Sequence, residues 1–125
     1  MTLQELYEAL GGDYSDVTKR LPTEKMIDKF ALKYLNDTSF NELKEALGNK
    51  DIETAFRAAH TLKGVALNLA FSELAVKASE LTEALRENHR DGYTFDQFVE
   101  MFDIVEAAQN KTVDAINRYA SEKTA

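Results

Sequence analysis

The chain of 125 residues contains no cysteine and no tryptophan, a single proline (Pro22) and five glycines. Without cysteine there is no disulfide framework, no thiolate metal site and no cysteine nucleophile, which fits a reducing compartment. So few chain breakers argue against an all-β architecture, with its many turns, and leave long stretches free for helix. Basic side chains are also in deficit: Lys and Arg number 15 against 22 Asp and Glu, for a formal net charge of -7. That balance excludes nonspecific nucleic-acid binding, which depends on a basic surface. No apolar run approaches the roughly 20 residues that span a bilayer. The opening Met1-Thr2-Leu3-Gln4-Glu5 lacks the basic start and apolar centre of a signal peptide. A cytoplasmic protein with neither a membrane nor a nucleic-acid partner is expected.

What is present is the composition of a globular domain, 44% hydrophobic and 30% charged, with enough chain for one core of ordinary size. Helix starts and stops are legible. Thr2 with Glu5, Ser39 with Glu42 and Thr94 with Gln97 have the spacing of capping boxes. Gly11-Gly12 and Gly48-Asn49 are stop signals, and Asp51 is a cap for the helix that follows it. Apolar stripes at helical spacing run through Leu3, Leu6, Tyr7 and Leu10, and through Met26, Ile27, Phe30, Ala31, Tyr34 and Leu35. Two more run through Leu74, Ala78, Leu81 and Leu85, and through Phe98, Val99, Phe102, Val105, Val113, Ile116 and Tyr119. Residues 13–21 read as a short helix or turn, Ser72 as a helix start, Arg90-Asp91-Gly92 as a turn, and residues 121–125 as a fraying end. Four long amphipathic helices joined by short loops predict an all-α fold. The expected form is an antiparallel up-down four-helix bundle with additional short N-terminal helices. The expected organisation is one domain over residues 1–125, with a core bundle over about 23–120 and a helical extension over 1–22.

One helix, about residues 52–69, carries chemistry. At about 100° per residue, Ile52, Ala55, Ala59, Leu62, Ala66 and Leu69 cluster on one face and should point inward. His60 lies roughly 120° from the centre of that cluster, so its imidazole should meet solvent. Lys63 follows one turn along, within reach of anything bound to the ring. Gly64 follows at i+4, in a helix interior where glycine costs about 1 kcal/mol relative to alanine. A glycine there suits a surface left bare for another molecule, or close helix packing. An exposed imidazole is nucleophilic near neutral pH, and an adjacent ammonium offsets charge on a phosphoryl group in transit.

The run His60-Thr61-Leu62-Lys63-Gly64 resembles the His-x-x-Lys-Gly signature of histidine-containing phosphotransfer (HPt) domains, most strongly over about residues 51–71. These are four-helix bundles that relay phosphoryl groups between receiver-domain aspartates. The resemblance implies that His60 accepts the phosphoryl group on Nε2, that Lys63 stabilises its charge and that Gly64 admits the receiver. It implies a phosphocarrier without autokinase activity, needing no cofactor of its own because Mg²⁺ sits on the receiver partner. The partners implied are receiver domains of hybrid histidine kinases and of response regulators, and a monomer is expected. Asn68 matches a polar position of the family, as a direct participant or as an amide bonded near the helix end. Phe56 and Arg57 are docking candidates, with core packing the alternative for Phe56. The chain departs from the family at Val65 and Leu67, where small residues are usual, and at Ala70, where a glycine often stands. Leu67 shares the stripe of His60 and Gly64, so it is either a docking contact or a restriction on access.

Two other readings are weighed against this one. A metal-binding bundle needs Glu-x-x-His pairs. Neither of the two histidines follows a glutamate by three residues, and His89 is expected at the surface near a helix C-terminus. A non-catalytic helical adaptor, a degenerate phosphotransfer domain that binds receivers without accepting phosphate, is the remaining alternative.

Overall fold

The computed structural model describes residues 1–124, with side chains through Lys123. Among the described residues every regular element is helical. Three short helices come first: α1 (Leu3–Leu10), α2 (Tyr14–Arg20) and α3 (Glu24–Lys33), the last running into a 3-10 turn at Tyr34–Asn36. Then follow α4 (Ser39–Gly48), α5 (Ile52–Asn68), α6 (Ser72–Leu85), a 3-10 turn at Arg90–Gly92, and α7 (Phe95–Thr124).

Local chemistry sets most of these boundaries. Thr2 and Glu5 form the reciprocal capping box of α1, and Thr94 and Gln97 exchange the same pair of bonds ahead of α7. The hydroxyl of Thr23 accepts from the Met26 amide at the start of α3, and the Asp51 carboxylate accepts from the Thr54 amide at the start of α5. The expected box at Ser39 and Glu42 does not form. Ser39 is already inside α4 and buried, and its amide donates to the Asp37 carboxylate. Thr38 instead holds the boundary and donates to Glu42. The Asp37 carboxylate, two residues upstream, takes the amide in an Asx turn, and Glu42 is left to accept from Thr38. Ser72 begins α6 without a side-chain cap.

Successive helices pack against one another: α4 on α5, α5 on α6, α6 on α7, with α1 also laid along α7. A single buried cluster runs from Leu6 to Tyr119 and includes Ile27, Leu43, Leu62, Leu74, Leu81 and Ile116. The expected stripes hold with two corrections. Leu35 is exposed because it falls in a 3-10 turn, whose three-residue period carries it off the face set by Ile27, Ala31 and Tyr34. Val99 is exposed as well, and the α7 seam runs through Phe98, Phe102, Val105, Thr112, Ile116 and Tyr119, with Val113 only half-buried. The helix also continues past Ala120 to Thr124 rather than fraying at 121. Its last turn is held by ion pairs from the Met1 amine to Glu122 and from Lys123 to Asp28. The end at Ala125 lies outside the described residues.

The link between α1 and α2 anchors the N-terminal helices to the turn after α5. Gly11 caps α1 at φ 77°, a left-handed conformation that only glycine adopts freely. Its carbonyl accepts from the Glu73 amide, and the Asp13 amide donates to the Ala70 carbonyl. Ala70 itself stands at φ 55°, so the turn that ends α5 carries an alanine where the backbone favours glycine.

Candidate functional site

Helix α5 runs across the middle of the molecule because both flanks of its inner face are covered, by α4 on one side and α6 on the other. Ala55, Ala59, Leu62 and Ala66 are fully buried on that face, and Ile52 is half-buried at its start. Small side chains there bring the neighbouring helices close to the α5 backbone. The rest of the helix is then presented outward.

His60 is exposed on that outward side, as its angular offset predicts, and Lys63 and Gly64 lie beside it, half-buried. Apart from its chain neighbours and the backbone of α5, a Cβ built on Gly64 would meet no atom within 4 Å. Close helix packing therefore does not account for this glycine; the space in front of it is open. Leu67 continues the stripe and is 44% exposed, an apolar side chain left facing solvent. With Lys63 it lines an open groove of about 340 Å³ between α5 and α6, whose other wall includes the exposed Val76.

The remaining predicted residues take different places. Phe56 is half-buried and packs against the core, while its ring also meets the His60 imidazole edge-on, with centroids 6.1 Å apart and planes at 68°. Arg57 is exposed and donates to the hydroxyl of Thr54. Asn68 is exposed at the end of α5 and lines a separate groove with Phe30, Tyr34 and Val65. Its amide makes no side-chain hydrogen bond among the described residues. His89 is exposed beyond α6, with Nδ1 3.0 Å from the Glu83 carbonyl oxygen.

Sequence reasoning did not single out the pair that borders this surface from α6. Arg86, the residue that caps the C-terminal end of α6, lies 5.2 Å from the centre of the Phe56 ring. It is gripped by Glu83 through two bonds, Nε to Oε2 at 3.1 Å and Nη2 to Oε1 at 2.9 Å. The hydrogen bonds from Arg86 hold the Glu83 carboxyl below its ordinary pKa against the opposing effect of burial, with the charges of Arg86, Lys63 and His89 adding to the lowering. The i,i+3 spacing of Glu83 and Arg86 was visible in the sequence, but their placement over Phe56 depends on how α6 registers against α5.

Among the described residues, no cluster of three or more His, Cys, Asp or Glu side chains is arranged to hold a metal ion. Among the described residues no helix is long and apolar enough to cross a membrane.

Residues 36–115 match the Hpt domain family, a span that contains α4, α5, α6 and most of α7. No curated protein and no solved structure matches the chain. Hpt domains are phosphocarriers of two-component phosphorelays, where they take part in histidine phosphotransfer and interact with receiver domains. The matched span covers more than half of the chain and encloses His60, Lys63 and Gly64, and the chain belongs to the Hpt domain family.

Proposed function

We propose that this chain is a phosphorelay intermediate that accepts a phosphoryl group on His60 from a receiver-domain aspartate and passes it to the receiver of a response regulator. The observation that carries the reading is the pairing of an exposed imidazole with an unobstructed glycine one turn on, Gly64, in front of which 4 Å of space stays empty. A second protein can bring its own reacting group up to the ring there. Lys63, at i+3, supplies the cation.

In the forward step the lone pair of His60 Nε2 attacks the phosphorus of the aspartyl phosphate. The N–P bond forms as the P–O bond to the carboxylate breaks, and the electron pair returns to the aspartate. Nδ1 keeps the ring proton, so the attacking nitrogen is the unprotonated one. Transfer onward is the same exchange in reverse on another receiver. Positioning and charge stabilisation are the main contributions in such transfers. Lys63 meets the charge on the phosphoryl oxygens from the carrier side. Mg²⁺ belongs to the receiver's acidic pocket, and the carrier needs no cofactor and no kinase activity of its own.

Leu67, Phe56, Arg57 and Asn68 form the surrounding docking surface in this reading. The protein works as a cytoplasmic monomer. The core over about residues 23–120 holds the antiparallel up-down four-helix bundle of a single domain, with α4 to α7 as its long helices. Its closure is supported by the contact of α4 with α7, where the Phe40 and Phe102 rings stack at 5.4 Å and Lys44 pairs with Glu106 at 3.3 Å. Residues 1–22 are the helical extension of that domain.

The test is incubation with a phosphorylated receiver domain. The expected product is a label on this chain that is acid-labile and base-stable, and that His60→Gln abolishes. No label from several receivers, or a label that survives the substitution, overturns the proposal. Binding of receivers without label is the outcome that an adaptor gives.

A further inference from the structure

We infer that Glu83 and Arg86 are positioning residues for His60, acting through the ring of Phe56. The inference rests on the reading of His60 as the phosphoacceptor.

An exposed histidine on a helix turns about two side-chain bonds, and in-line attack on phosphorus uses only a small part of that range. On one side of that range stands Phe56, one turn earlier on α5, whose ring meets the imidazole edge-on at 6.1 Å. This is the separation and arrangement that aromatic pairs favour. Phe56 is itself only half-buried, so its own ring needs a second support. Arg86 provides it from the C-terminal cap of α6, with its guanidinium 5.2 Å from the ring centre, within the range of a cation–π contact. Arg86 is a long, flexible side chain in turn, and the two bonds it donates to Glu83 fix the plane of its fork.

The other charges near this pair leave it intact. Arg90 approaches from the 3-10 turn but is committed to the Leu85 carbonyl at 3.0 Å and to Glu53 at 3.1 Å, so Glu53 does not compete for Arg86. His89 lies 3.9 Å from the Glu83 carboxylate and Lys63 is near enough to act on it through charge, and both favour the ionised form that grips Arg86. The result is a line of support running from Glu83 in the last turn of α6 to Arg86 at its cap, then to Phe56 and His60.

The experiment uses the full chain with Arg86→Met, which keeps a flexible stem and removes the fork, Glu83→Gln, Phe56→Leu and the Phe56→Leu/Arg86→Met double variant. Thermal unfolding verifies that each is folded. In Arg86→Met and Glu83→Gln, carbon-13 relaxation of the His60 imidazole should show a lower order parameter than in the parent. The maximal rate of transfer from a phosphorylated receiver should fall about three- to tenfold in Arg86→Met with KM unchanged. The double variant should be no slower than Phe56→Leu alone, because both substitutions cut one line. Parental imidazole order in Arg86→Met overturns the inference. So does a raised KM at parental maximal rate, which marks a direct docking contact, or fully additive losses in the double variant. If the parent chain takes no label, the proposed function fails, while the relaxation measurement still decides whether Arg86 orders His60.

Discussion

The hydroxyl of Tyr7 on α1 donates a 2.8 Å hydrogen bond to the carbonyl of Leu69, the residue that caps the C-terminal end of α5. The N-terminal helix is thus tied to the helix that bears His60, although α1 lies outside the span that matches the family. Tyr7 is 1% exposed and wedged between the rings of Tyr14 and Phe71. Burial holds its phenol well above the usual tyrosine range, so it remains a donor even in alkaline solution where a free tyrosine would ionise. Tyr7→Phe keeps the ring and removes only the donor, leaving a buried carbonyl unpaired. The expected loss is about 1–2 kcal/mol, or a thermal midpoint lower by roughly 5 °C in a domain of this size. An unchanged midpoint would show that the bond contributes nothing net.

Gly64 separates stability from function. In a helix interior glycine is about 1 kcal/mol less favourable than alanine, and a Cβ at this position meets open space. Gly64→Ala should therefore stabilise the chain, by roughly 0.5–1 kcal/mol in denaturant unfolding. Gly64→Gln also gains helix propensity, yet it fills the space beside His60. Transfer from a phosphorylated receiver should drop at least tenfold in Gly64→Gln while unfolding stays as firm as in the parent. Full transfer in the glutamine variant would remove Gly64 from the docking surface.

Lys63 is the cation of the proposed transfer, and its contribution should be graded. Lys63→Ala removes charge that offsets the phosphoryl oxygens but leaves the nucleophile and the docking surface in place. A slower transfer is expected, by roughly tenfold, without loss of labelling on His60. Lys63→Arg should recover part of the rate because it restores charge without the same geometry. A Lys63→Ala rate equal to the parent's would rule out the electrostatic role.

Features that depend on a few adjacent residues were legible in the sequence. The boxes at Thr2–Glu5 and Thr94–Gln97 form because their partners lie three residues apart, whatever the tertiary fold. The box at Ser39 failed for an equally local reason, the competing carboxylate of Asp37. Periodicity located the buried face of α5 and set His60 outward, since a helix wheel is a geometric fact once the helix exists. It misplaced Leu35 because a 3-10 turn changes the period, and it passed over Thr112 in favour of Val113 because threonine looks polar. Thr112 is buried with its hydroxyl donated to the Ala108 carbonyl, so its polar group needs no other partner. At the site, residues on one stripe of α5 were readable. The Arg86 contact on Phe56 was not, because it depends on the register of two helices.

The last prediction concerns the far end of α7, where the Asp28 carboxylate on α3 accepts hydrogen bonds of 2.5 Å from Tyr119 and of 2.5 Å from Lys123. Burial works to raise the Asp28 pKa, but the bonds from Lys123 and Tyr119 outweigh it and hold the carboxyl below its ordinary range. The unfolded chain therefore binds this proton more readily than the folded one in acid. The stabilisation is full above the unfolded pKa of about 3.9 and is lost as pH falls through the lower folded value. Tyr119 runs the other way. Burial first, and then its bond to Asp28, raise its pKa, so its contribution is full below the unfolded value of about 10 and is lost as pH climbs through the folded one. Asp28→Asn should cost about 1.5–3 kcal/mol near pH 7, the range of hydrogen bonds to a charged group. It should also flatten the acid limb of a stability profile measured by urea unfolding from pH 2 to pH 7. A variant whose acid limb is as steep as the parent's would show that other carboxylates govern acid unfolding and that Asp28 is a spectator.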